Sequence, residues 1–165
     1  MTNNAELIQF CRGTGLRREG VETVRGRDLM SKQEIAAQIA RIEAVKPENR
    51  TAADKKRLTI CKDAQAFNDP SHKYFVHTKE KGGRERIAPI IGEHAQEIVD
   101  RFKSTAPDEK VWQHVPQNAD IHSYRGDYAT AMYKMYARKI DQIPYDRVNK
   151  GTGKAYQSEV YTCRK

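Results

Sequence analysis

Apolar residues recur along most of this chain at helical spacing, and along one stretch at strand spacing. Near the start, Asn3 and Asn4 stand where a helix cap is wanted. Ala5, Leu7, Ile8, Phe10 and Cys11 then supply an apolar face that stops near Gly13. Thr14-Gly15 makes a turn, and a second short helix follows with Leu16, Val21 and Val24 facing inward. Gly20 weakens that helix, because an interior glycine costs about 1 kcal/mol relative to alanine. Ser31-Lys32-Gln33-Glu34 has the form of a capping box, in which each side chain satisfies the other residue's backbone N–H. It opens a helix with Ile35, Ile39 and Ile42 on one face, ended by Pro47 and Asn49. Thr51 opens the next, with Leu58, Cys61 and Ala64 toward a core and Phe67 near its end. Asn68-Asp69-Pro70-Ser71 is a loop.

Residues 73–79 and 85–90 are β-rich runs separated by Gly82 and Gly83, which predicts a β-hairpin. Pro89 has no N–H for a ladder, so it belongs at a strand end or a sheet edge. The helical period returns after Gly92 with Ala95, Ile98, Val99 and Phe102, and stops over 103–107. Residues 121–138 form the last strong helix, and its Tyr128, Met132, Met135 and Tyr136 stripe is expected to be core. Periodicity is weak from Asn149 to Lys165, which predicts a flexible tail after a domain over 1–148. The expected fold class is α+β, mostly helical with one small antiparallel β-sheet.

The length of 165 residues suits one domain with a real core. No apolar run approaches the ~20 residues that span a bilayer. Met1 to Phe10 lacks the charge and apolar run of a signal peptide. The expected location is therefore cytoplasmic, with no membrane partner. Cys11, Cys61 and Cys163 are odd in number with no CxxC spacing, so they read as reduced thiols. His72, His77, His94 and His114 offer no ligand spacing and read as surface or strand residues; Trp112 reads as packing. No metal and no cofactor is expected.

Charge changes the picture more. Lys and Arg number 30 against 22 Asp and Glu, a formal net charge of +8. Such an excess favours polyanionic partners, although it also serves solubility alone. Arg12, Arg17, Arg18, Arg25 and Arg27 crowd one stretch. Lys79, Lys81, Arg84 and Arg86 crowd the hairpin, where exposed basic side chains can reach phosphates.

Three motifs occur in order: Thr14-Gly15-Leu16-Arg17 opening a helix; Lys81-Gly82-Gly83-Arg84-Glu85-Arg86-Ile87-Ala88-Pro89-Ile90 in the hairpin; and His122-Ser123-Tyr124-Arg125 running into the last helix. Together they resemble the catalytic domain of tyrosine recombinases, the phage and transposon integrase family. The resemblance covers about 5–138, except a helical insertion over 31–70. It implies DNA site-specific recombination or integration, with duplex DNA as the partner and a homo-oligomer on DNA for a full-length member. By matching motifs, Arg17 and Arg125 correspond to the two catalytic arginines, Lys81 to the hairpin lysine and His122 to the helix histidine. Lys79 competes with Lys81 for the lysine role, and Lys79, Arg84 and Arg86 are expected to touch DNA. The chemistry suits these residue types. Attack of a tyrosine on a backbone phosphate loads charge onto non-bridging oxygens, which planar guanidiniums grip bidentately. A lysine at a mobile hairpin tip can protonate the leaving 5′-oxygen. His122 and Arg125 share a helix face.

The chain also departs from the pattern. No His or Trp follows His122, and the surroundings of Tyr156 and Tyr161 do not match the nucleophile motif. Gly20 stands where an acid usually follows the first arginine, with Glu19 one residue early. The expectation is a chain truncated before the nucleophile, inactive in cleavage on its own. A non-catalytic DNA-binding module is the alternative, and a basic RNA-binding protein the reading from charge alone.

Overall fold

The computed structural model describes residues 4–138. The predicted tail, Tyr156, Tyr161 and Cys163 lie outside the described residues. The chain divides into two compact units, one ending at Tyr128 and the next beginning at Ala129; the sheet and the candidate site belong to the first.

In order along the chain stand α1 (Asn4–Thr14), α2 (Arg18–Thr23), β1 (Leu29–Ser31), α3 (Lys32–Glu43), α4 (Ala52–Gln65), β2 (Tyr74–Glu80), β3 (Arg84–Pro89), α5 (Ala95–Lys103) and α6 (Ile121–Tyr136). The fold is thus α+β, with a three-stranded sheet among the described residues. The capping boxes are formed. Ser31 Oγ accepts from Glu34 N at 3.2 Å and Glu34 Oε2 accepts from Ser31 N at 3.3 Å. Thr51 and Asp54 repeat the exchange at 3.1 Å each way. Each cap is worth about 1 kcal/mol to its helix, which fixes where α3 and α4 begin.

Strand order is β1-β2-β3, antiparallel throughout. The hairpin runs in register from Phe75 opposite Pro89 to Glu80 opposite Arg84. Pro89 therefore sits on an edge strand, at its end. Strand β1 pairs Leu29, Met30 and Ser31 with Val76, Phe75 and Tyr74. A three-residue strand carries no alternation of its own, so nothing local announces it.

Alternation along β2 sends its residues to two different cores. Val76 faces a core built from Phe10, Leu16, Val21, Phe102 and Trp112. Phe75, with Ile87 of β3 on the same face of the sheet, faces Ile35, Ile39, Ile60, Cys61 and Ala64 of α3 and α4. Helices α3 and α4 thus pack as a helical hairpin on the second face of the sheet. That leaves the first face to carry α1, α2 and α5.

Two burial expectations are corrected. His72 is only 1 % exposed and packs edge-on to Phe75, not on the surface. Met135 is 45 % exposed, so the α6 stripe is not all core, although Tyr128 is buried. Burial holds His72 below its ordinary value of 6.5, with Asp69 opposing and Lys32 assisting. The folded state thus resists a proton that the unfolded chain accepts. The resulting stability is fully present above about pH 6.5 and is lost as the pH falls toward the folded value. Unfolding temperatures measured from about pH 7.5 down to about pH 5 should fall, and His72→Gln should flatten that fall.

Candidate phosphate-binding site

The site begins at the end of α1. Thr14 Oγ1 donates back to Phe10 O at 2.8 Å, and Gly15 N donates to Cys11 O at 2.9 Å. Gly15 then takes φ +65°, a left-handed conformation that glycine adopts without strain. The ring of Tyr128 lies directly against it, so a Cβ there would sit 2.3 Å from Tyr128 Cδ1. Tyr128 is itself pinned by a buried hydrogen bond from its hydroxyl to Pro89 O at 2.8 Å. The Thr-Gly turn, the end of β3 and Tyr128 of α6 therefore meet at one point.

Three guanidiniums and one carboxylate gather there. Arg125, on the turn of α6 before Tyr128, donates its Nε to Gly15 O at 3.2 Å. Arg86 of β3 donates Nη2 to the same carbonyl at 2.6 Å. Arg17 sits just beyond the turn, its Nε 3.5 Å from Glu80 Oε2. Glu80 Oε1 lies 3.4 Å from Arg86 Nη2. The carbonyl of Gly15 thus spends both its lone pairs on arginines.

Three positive charges face one negative charge, which leaves two uncompensated. Burial lowers the pKa of Arg125, and Arg86 and Arg17 add to the lowering, while Glu80 opposes it. The guanidinium stays charged regardless, since arginine's ordinary value is so high. Arg125 is tethered through Nε to Gly15 O, while the Nε of Arg17 makes a long 3.5 Å ion pair with Glu80. Among the described residues neither has a recorded partner for its Nη groups, and Arg17 is 51 % exposed. A cluster of this kind can take an anion with paired, charge-assisted N–H donors.

Of the sequence-predicted residues, Arg17 and Arg125 come together. Arg86 joins them as a half-buried member of the cluster rather than as an open phosphate contact on the hairpin. Lys81 is exposed in the Lys81–Gly83 turn, and His122 is exposed one helical turn before Arg125; no contact ties either to the cluster. Glu80 and Thr78 share a β2 face with Arg86, whereas Lys79 lies on the other face, with Glu85 opposite. Arg84 is exposed opposite Glu80. The tip is braced, not loose: Lys56 of α4 donates to Gly83 O at 3.2 Å.

The first basic crowd is mostly structural. Arg12 pairs with Asp127 at 2.8 Å and lies over the Tyr124 ring. Arg18 donates to the carbonyls of Pro116, Gln117 and Ala119. Arg25 donates to Asp108 O, and Arg27 pairs with the Asp108 carboxylate at 2.7 Å. Arg17 is the member of that crowd that enters the cluster. Sequence reasoning missed Glu80, although a signal existed: alternation from Val76 places this glutamate on an inward-facing strand position.

The buried cysteines are poor nucleophiles. Burial pushes the Cys11 thiol up to about 12, against a smaller opposing effect of Arg18, and burial raises Cys61 as well. Among the described residues no three His, Cys, Asp or Glu side chains gather to hold a metal ion. Nor is any helix there long and apolar enough to cross a membrane. Compared with protein-family models, curated proteins and solved structures, the chain matches none.

Proposed function

We propose that this domain grips a phosphate of the DNA backbone between Arg17 and Arg125, as the phosphate-activating part of a tyrosine-recombinase-type site for DNA integration. The observation that supports this reading is the meeting of two arginines named from separate motifs. Arg125 is anchored at Nε by Gly15 O, Arg17 lies at a long 3.5 Å from the Glu80 carboxylate, and the outer N–H groups of both are unclaimed. In the reaction, a tyrosine hydroxyl passes its proton to solvent as its oxygen attacks phosphorus, and the bond to the 5′-oxygen breaks. A 3′-phosphotyrosyl link forms, and the departing oxygen takes its proton from the Lys81 ammonium. Charge growing on the non-bridging oxygens is held by the guanidiniums of Arg17 and Arg125, with His122 on the same face of α6. Donors preset toward such charge are worth on the order of 10²-fold each in rate. No metal or cofactor enters this scheme. The partner is duplex DNA, on which a homo-oligomer forms, and the setting is cytoplasmic.

A second reading, a DNA-binding module without cleavage, is favoured by Lys81 and His122 standing clear of the cluster. A nicked suicide duplex separates the two. Strand cleavage by an added external nucleophile such as hydrogen peroxide, or a covalent protein–DNA adduct, either one lost in Arg17→Ala and Arg125→Ala, supports the recombinase. Binding that depends on both arginines with neither product supports the module. Binding indifferent to both arginines contradicts either reading.

A further inference from the structure

We propose that Glu80 sets the charge of the arginine cluster to suit a phosphodiester, the singly charged ester of a nucleic-acid backbone, over a doubly charged phosphate monoester. The inference rests on the phosphate-binding reading above and adds a ligand preference to it.

Glu80 is 9 % exposed, so its carboxylate is withdrawn from water at the centre of a basic group. Locking guanidiniums in place would call for short charge-assisted bonds of about 2.7–2.9 Å. The actual separations are 3.5 Å to Arg17 and 3.4 Å to Arg86, and Oε1 accepts no hydrogen bond. Arg86 is already fixed by its 2.6 Å bond to Gly15 O, and Arg125 by its own bond to the same atom. Glu80 therefore contributes charge more than alignment. Its negative charge reduces three positive charges to two.

An incoming anion feels Glu80 in proportion to its own charge. A phosphodiester carries one negative charge, whereas a monoester carries close to two above its second pKa of about 6. The carboxylate thus penalises the monoester about twice as strongly. A backbone-binding site benefits, because terminal phosphates and free phosphate esters compete less well.

The test titrates the protein with dimethyl phosphate and, separately, with methyl phosphate at about pH 8, where the second is nearly doubly charged. Binding is followed at the Arg125 Nε–Hε NMR signal. Glu80→Gln removes the charge and keeps the shape, with Glu80→Ala as the alternative should Glu80→Gln unfold. The expected result is a gain of about tenfold for methyl phosphate against about threefold for dimethyl phosphate. Glu80→Asp, which keeps the charge, should leave the ratio of the two affinities at its wild-type value. An unchanged ratio in the neutral variants, or equal losses for both esters, overturns the proposal. If wild-type binding responds to Arg17→Ala while the ratio stays fixed, only the role of Glu80 fails. If wild type binds neither ester, the phosphate-binding reading fails and this inference with it.

Discussion

Replacing Gly15 by alanine should destabilise the domain by about 2–5 kcal/mol and abolish its grip on DNA phosphate. Two independent costs act at this residue. At φ +65° a Cβ crowds its own backbone, which costs roughly 1–2 kcal/mol. The same Cβ would stand 2.3 Å from Tyr128 Cδ1, and that ring cannot simply turn away, because its hydroxyl is bonded to Pro89 O. Relief requires α6 to shift, at a further cost of about 1–3 kcal/mol. A shift of α6 carries Arg125 away from Gly15 O. Urea unfolding measures the first effect, and DNA binding well below the transition measures the second. A Gly15→Ala protein as stable as wild type would mean that Tyr128 does not press on the turn.

Arg17→Ala and Arg125→Ala should each weaken duplex binding by roughly 10- to 100-fold at low salt, since charge-assisted bonds of this type are worth about 1.5–3 kcal/mol. Stability should hardly follow. Arg17 is half exposed, and its pairing with Glu80 is long, so its loss should change stability by less than about 1 kcal/mol. Arg125 leaves Gly15 O still bonded to Arg86, which keeps that cost near the roughly 1 kcal/mol of one hydrogen bond. Lysine at either position should recover only part of the binding, because an ammonium lacks the planar fork. The salt dependence is sharper still. If both arginines hold one phosphate, removing both should reduce the log–log salt slope by about 0.9, the value for a single phosphate. A reduction of about 1.8 would assign them to two.

Much of the fold could be read from local pattern. The isoleucines of α3 and the Ser31 and Thr51 caps announce their helices, because helix periodicity and capping involve residues within one or two turns. The hairpin is equally plain from two β-rich runs around Gly82 and Gly83. What escaped was non-local. Strand β1 exists because Met30 finds Phe75 across the sheet, and nothing in Leu29–Ser31 shows that pairing. His72 is buried because the loop that precedes β2 folds its ring edge-on against Phe75, a contact no local pattern shows. The site divides in the same way. Arg17 and Arg125 were legible from motif order, whereas Arg86 read as an open hairpin cation. Its inward role depends on a carbonyl at Gly15, far away in sequence. Arg12, Arg18, Arg25 and Arg27 looked like part of a basic patch. Their partners lie on α6 and on the segment between α5 and α6, which only the tertiary fold brings within reach.

The account turns on Arg17 and Arg125 sharing one phosphate, and a single small ligand tests that most directly. Dimethyl phosphate is titrated while the Arg125 Nε–Hε signal is followed, in wild type and in Arg17→Ala. Shared binding predicts that Arg125 responds in wild type and that its affinity falls about tenfold or more when Arg17 is removed. A response at Arg125 that is the same with and without Arg17 would contradict it.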